Sequence, residues 1–244
     1  VATFAALGVF ATCAVTAITV QDSRGVRAVS AVAPRLVRAQ IEAVLGDLGA
    51  DAVKTGMLGS GAIVASVAAA LGHFRVGNLV VDPVIRSTSG ARLLDRGGVR
   101  ALRDSLLPIA RVVTPNLDEA AVLADLEVGD VASAEEACRR ILRLGPRSVV
   151  VTGGHLSGEP VDVVADRRGI RRIEGRRIGT GAHGTGCVFS AALAAHLARG
   201  SGLDDAVRGA KRFVEERLRS AEQLGRGRKH LGLRGAGSSR RRRR

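Results

Sequence analysis

Aromatic residues are scarce in this sequence: five Phe and neither Trp nor Tyr among 244 residues. Proteins that bind single-stranded nucleic acid stack bases on aromatic platforms, so that class loses its main device. Cysteine is equally sparse. Cys13, Cys138 and Cys187 are odd in number and fit no zinc-ligand spacing. No disulfide staple is needed, and a reduced cytoplasmic protein is the simplest account. There is no GxxxxGK[ST] segment, which removes the P-loop mode of phosphate binding. Residues 1–20 carry no charge, and no basic stretch precedes them, which argues against a signal peptide. Their length suits a bilayer span. Gly8 and four threonines interrupt the run, and a buried helix followed by a buried strand accounts for it. The chain begins with Val, from a valine-coded start or because it is a fragment.

Acids are missing from residues 226–244, which hold nine of the cations behind a net charge of +14 and leave +5 for the rest. That segment is expected to be a basic, disordered tail, with nonspecific polyanion contact as its functional alternative. Elsewhere, 46% hydrophobic and 25% charged residues are ordinary globular values. A domain of this length buries about 70–75% of the surface of its unfolded chain.

Two kinds of segment alternate. Val-rich runs at 13–20, 52–54, 78–81, 111–114, 148–152 and 161–165 read as buried strands. Amphipathic patterns at 34–48, 99–107, 133–144, 188–199 and 203–224 read as helices. Pro34 suits a first turn, Ser133 and Glu136 have capping-box spacing, and Gly145 is placed to end a helix. The alternation predicts an α/β fold: a three-layer α/β/α sandwich, with helices on both faces of a mainly parallel sheet. Ligands of such sheets bind outside the carboxyl ends of the strands, so the residues after each strand are the candidates.

Those residues are distinctive. Gly179-Thr180-Gly181-Ala182-His183-Gly184-Thr185-Gly186-Cys187 leads into a helical pattern. A glycine-rich turn opening a helix offers backbone N–H groups and roughly half a positive charge to an anion. Gly184 and Gly186 permit close approach of a phosphate, and Cys187 stands where a thiol pKa is expected to fall. The bland alternative is a glycine-rich connection beside a buried Cys. Asn116 and Glu119, three apart at a strand end, read as organisers of water around Mg²⁺ or as a helix cap and its first turn. Asp82 before Pro83 reads as a substrate or metal ligand or as a turn former. Gln21 reads as an amide ligand for a heterocycle or as a solvated loop residue. His155 and His183 reach a phosphate or are structural, and Met57 packs rather than catalyses.

Taken in order, FAALG…VTAITVQDSRGV, KTGML, VVDPV…STSGARLL, VTPNLDEA, VTGGH and HGTGC resemble the ribokinase-like superfamily over roughly residues 1–200. More closely they resemble the hydroxymethylpyrimidine/phosphomethylpyrimidine kinases of thiamine biosynthesis, with pyridoxal kinases as relatives. The resemblance implies transfer of the ATP γ-phosphate to the hydroxymethyl group of a pyrimidine and then to the phosphate of the product. It implies that Gln21, Met57 and Asp82 line the substrate site and that Asn116 and Glu119 serve Mg²⁺. Asn116, Thr152, Gly154 and His183 fall on the ATP side. Gly184, Thr185, Gly186 and Cys187 form the anion hole and catalytic position, with Cys187 accepting the hydroxyl proton.

The sequence also departs from the family pattern. Relatives begin with a strand and a GGAGI-type segment, so a central strand is expected to be absent here. Ala91 stands where many members have an acid, and Thr152 where a lysine is common. The ending LGRGRKHLGLRGAGSSRRRRR replaces a glycine/histidine-rich one, as a shifted reading frame near residue 226 would produce. The expected organisation is a kinase domain over 1–225 and a tail over 226–244. The expected protein is a cytoplasmic homodimer with ATP, Mg²⁺ and a small pyrimidine as ligands and with no membrane contact. Rival readings are a pyridoxine or pyridoxal kinase, a non-catalytic pyrimidine-binding or regulatory protein, and a polyanion binder acting through the arginine tail.

Overall fold

The computed structural model describes residues 1–87, 90–154, 158–179, 182 and 184–232. Its centre is a six-stranded sheet of β3 (Val53–Thr55), β4 (Leu79–Val81), β5 (Val112–Val113), β6 (Ser148–Val151), β7 (Val161–Asp166) and β8 (Gly169–Glu174), and the spatial order follows the chain order. β3 to β6 are parallel; β7 and β8 return antiparallel. Strands laid down in one direction through right-handed crossovers put every connecting helix on the same face. That face carries α2 (Pro34–Asp47), α3 (Gly61–His73), α4 (Arg96–Ala101), α5 (Leu117–Ala124) and α6 (Val131–Leu142), packed on Val81, Val113, Val149 and Val163. The opposite side chains, Val80, Val112, Val150 and Val164, are covered by α7 (Thr185–Ala198) and α8 (Leu203–Arg219), with Phe4 of the short α1 (Ala2–Ala6) alongside. The sandwich with helices on both faces is therefore present. α7 is apolar nearly all round, as a helix covered on both sides must be.

Local chemistry sets the boundaries. Ser60, Asp95, Asn116 and Asp130 cap α3, α4, α5 and α6 by accepting first-turn N–H groups. The expected Ser133–Glu136 box is shifted: Asp130 is the cap and Ser133 its reciprocal partner, so α6 starts two residues earlier. Gly145 follows that helix at φ 106°, and a Cβ there would press on Pro108.

Three further expectations are corrected. The run 13–20 is not a buried strand. β1 (Ala17–Asp22) and β2 (Gly25–Ala31) make a separate antiparallel hairpin, with Ile18, Val20 and Val29 exposed. Alternation was overlooked there because apolar residues occupy both faces of the hairpin. The helix expected at 99–107 is α4 followed by a wide π turn over 102–106 and a tight turn at Pro108. Residues 226–232, assigned to the tail, fold back instead. Leu231 is buried against the α7–α8 face, His230 bridges Glu222, and the Gly227 N–H donates to Ser23. Among the described residues no helix is long and apolar enough to cross a membrane.

β3 is the edge of the large sheet. Between it, α2 and the irregular segment 8–16 lies a cavity of about 770 Å³, lined among others by Phe4, Phe10, Cys13, Ile41, Leu45 and Met57.

Candidate active site

Four parallel strands ending on one side bring their following residues together: Gly56-Met57 after β3, Asp82 after β4, Asn116 after β5 and Thr152 after β6. The start of α7 closes the group from the other face. Gly184, at φ 83°, is its N-cap, and no described side chain caps the helix. The first-turn N–H groups of Thr185, Gly186 and Cys187 are thus left for an anion.

The interior of this group is charged. Lys54 Nζ lies 3.2 Å from Asp82 Oδ2, with both side chains largely buried. Ser190, one turn into α7, donates its hydroxyl to the same carboxylate oxygen at 2.9 Å. The Cys187 side chain is close enough to Asp82 to feel its charge. Asp82, 6% exposed, is therefore paired with a cation and a hydroxyl, the partners that a buried carboxylate requires. Burial works against the charge on Lys54, but Asp82, Cys187 and Glu119 together hold its ammonium above the ordinary lysine range.

Glu119, 5% exposed, accepts the Ile85 N–H on one carboxylate oxygen and the Asn116 N–H on the other, each at 3.1 Å. The Glu119 N–H in turn donates to Asn116 Oδ1 at 2.9 Å. The capping arrangement is thus realised in full. Burial, and then the neighbouring Asp82 charge, push the Glu119 carboxyl up to about 7 despite these N–H donors. Every oxygen here is a hard donor with a second lone pair, so the pair retains the chemistry to face a divalent cation through water.

Cys187 departs from expectation. It is exposed to solvent, yet desolvation by the surrounding protein and then the Asp82 charge push its thiol up to about 11. The helix dipole and Lys54 act in the opposite direction and are outweighed. The sequence showed the helix start but not the carboxylate across from it.

The remaining candidates divide. Thr152 bridges Asn116 in parallel register, and its N–H donates to the Pro115 carbonyl, which joins the ends of β5 and β6. Gly154 is exposed just beyond. Met57 is half-buried at the cavity beside β3, and its carbonyl accepts the Thr16 hydroxyl at 2.6 Å. Gln21 is exposed at a bulge of the β1–β2 hairpin, apart from the charged cluster. His155 and His183 lie outside the described residues. Lys54 and Ser190 were missed as candidates. For Lys54 a signal existed: a lone cation in a three-residue strand of a buried sheet requires an acid, and Asp82 follows the next strand.

The sequence profile of the family described as phosphomethylpyrimidine kinase matches residues 1–232. The chain is 43% identical over 223 residues to the thiamine biosynthesis bifunctional protein ThiED of Geobacter sulfurreducens, a match covering 91% of this chain and 46% of that protein. The chain thus spans less than half of that relative's length. It is 45% identical over 229 residues to the hydroxymethylpyrimidine/phosphomethylpyrimidine kinase of Mycobacterium bovis, covering 92% of this chain and 83% of that one. Among solved structures, the pyridoxal kinase from Staphylococcus aureus in complex with AMP-PCP and pyridoxal aligns with a TM-score of 0.86 at 29% identity, over 95% of this chain and 85% of that one.

Proposed function

This chain belongs to the phosphomethylpyrimidine kinase family, and from that premise we propose that it transfers the γ-phosphoryl group of ATP to 4-amino-5-hydroxymethyl-2-methylpyrimidine and then to the resulting monophosphate, in thiamine biosynthesis. The observation that carries this reading is the buried Lys54–Asp82 pair beside Cys187 at the uncapped start of α7. Phosphoryl transfer needs a cradle for anionic oxygens and a route for the hydroxyl proton, and this cluster supplies both. The N–H groups of Thr185 to Cys187 hold the γ-phosphoryl oxygens, with Gly184 giving them room. As the hydroxymethyl oxygen bonds to phosphorus and the bond to the ADP oxygen breaks, the hydroxyl proton passes to Cys187 Sγ. The thiol's own proton passes to Asp82, while Lys54 and Ser190 keep that carboxylate in place. A thiol held near 11 keeps its proton at neutral pH and cannot take up another by itself, so the relay needs the adjacent carboxylate as its final proton acceptor.

Met57 and Gln21 fit the pyrimidine side, the latter once the hairpin bends over the strand ends. Thr152, Gly154 and His183 fit the nucleotide side. Asn116 and Glu119 would hold Mg²⁺ through water, with Asp82 nearby, and the ion would offset charge on the transferring phosphoryl group. The exposed Ile18, Val20 and Val29 suit burial between two copies of the chain. The kinase unit extends at least to the folded-back segment around Leu231, and three free cysteines suit the cytoplasm.

The experiment is a comparison of kcat/KM for the hydroxymethylpyrimidine and for pyridoxal, each with ATP and Mg²⁺. A preference for the pyrimidine is expected. The structural match to a pyridoxal kinase favours that activity as the second reading, and a reversed preference would establish it. A protein that binds the pyrimidine without turning it over would be a binding module.

A further inference from the structure

The last helix carries a buried ion pair that the reaction itself does not use. Lys211 Nζ on α8 lies 2.6 Å from Asp162 Oδ2 on β7, with side chains only 11% and 6% exposed. The other oxygen, Oδ1, accepts the buried N–H of Gly153 at 3.0 Å. Gly153 stands between Thr152 and Gly154 at the end of β6. One turn further along α8, Glu215 accepts the N–H of Arg176 at 3.0 Å, beyond the end of β8. Gly175 between them has no room for a side chain, because a Cβ would overlap the Lys211 side chain. Residues 211 and 215 lie on one helix face, and through them α8 holds the backbone after β6, by way of Asp162, and the backbone after β8. α8 in turn packs along α7, where a Cβ at Gly209 would collide with His196.

A buried ion pair is weak evidence of stability, since desolvation offsets its attraction, but it fixes geometry. We propose that Lys211 and Asp162 are positioning residues for the nucleotide: Lys211 orients Asp162, and Asp162 holds the Thr152–Gly154 backbone in the shape that receives ATP. This rests on the kinase reading for its ligand, and it assigns ATP affinity, not chemistry or pyrimidine binding, to a helix lying behind the sheet.

The test measures ATP binding by calorimetry, separate KM values for ATP and pyrimidine, and hydrogen exchange at the Gly153 amide. Lys211→Met is expected to weaken ATP binding and raise the ATP KM about tenfold. It should leave the pyrimidine KM within twofold and speed Gly153 exchange, and Lys211→Arg should recover most of the loss. The double variant Asp162→Asn/Lys211→Met leaves no lone buried charge and so remains folded, and it should show the same selective loss. ATP affinity within twofold of wild type in the folded double variant would overturn the proposal, as would equal losses toward both substrates. A wild-type protein that binds no ATP would also overturn it. If wild type binds ATP tightly but phosphorylates no pyrimidine, the kinase reading fails, and the binding arm still decides the role of this pair.

Discussion

Removing the Lys54 ammonium would leave Asp82 as a buried carboxylate with the Ser190 hydroxyl as its remaining partner among the described residues. Breaking one side of a buried pair costs about 3–5 kcal/mol. Lys54→Met should therefore lower the urea midpoint sharply, and Lys54→Met/Asp82→Asn should regain much of that loss while remaining inactive. Cys187→Ala should lower kcat by about 10²–10⁴-fold, the usual contribution of a proton acceptor, with ATP affinity nearly unchanged. Cys187→Asp should keep more activity than Ala, and wild-type kcat in folded Cys187→Ala would assign catalysis to the backbone cradle alone. Cys13→Ala is expected to be silent. Cys138→Ala should be silent in kinetics but not in stability, because that thiol is fully buried between α6 and the sheet. Alkylation of Cys187 should be slow near pH 7 and accelerate toward pH 11, since its thiol is held well above the ordinary range.

Elements differ in how far their residues reveal them. β4, β6 and β7 were legible to within a residue or two, because strands buried on both faces must be nearly unbroken runs of valine. α2 was legible from Pro34 and its apolar stripe. The β1–β2 hairpin was not, since its apolar residues point both ways and answer to neither sheet face. The candidate site was legible as a set of strand ends but not as a charged cluster: Lys54, Asp82 and Ser190 come from β3, β4 and α7, and only the sheet order joins them. The α5 cap shows the same limit, because spacing alone did not choose between a cap and a metal organiser. In the fold Glu119 caps, and it also carries a titration. Its carboxyl, raised to about 7 from an unfolded value near 4.5, binds its proton more tightly in the folded state. Stability from that proton is complete below pH 4.5 and is lost as the pH rises to about 7, by about 3 kcal/mol at most. Urea unfolding at pH 5 and pH 8 should show this slope in wild type and not in Glu119→Gln; equal slopes would refute it. Asn116→Ala should cost about 1 kcal/mol through the lost cap.

At the scale of the whole molecule, the two faces of the sheet are built by different parts of the chain. α2 to α6 cover one face as they are threaded between strands, and α7 and α8 cover the other together. The second face should therefore be the more separable. Shortening Phe213 on α8 to Ala should weaken packing by about 3–5 kcal/mol and raise hydrogen exchange across α7 and α8 before it affects α3 or α6. Uniform loss of protection over both faces would show that the layers unfold as one unit.

The sheet's order also has a temporal meaning. Each of β4 to β8 pairs with the strand made just before it, so the growing chain can lengthen its sheet one strand at a time as it leaves the ribosome. The helix bearing Cys187 and Ser190 is synthesised after the last strand. Until it arrives, Lys54 and Asp82 have each other but neither the Ser190 hydroxyl nor the uncapped N–H groups of α7. A nascent chain stopped before α7 would present a charged, half-covered sheet, and the second apolar face is closed only after α7, α8 and the segment around Leu231 have all been made.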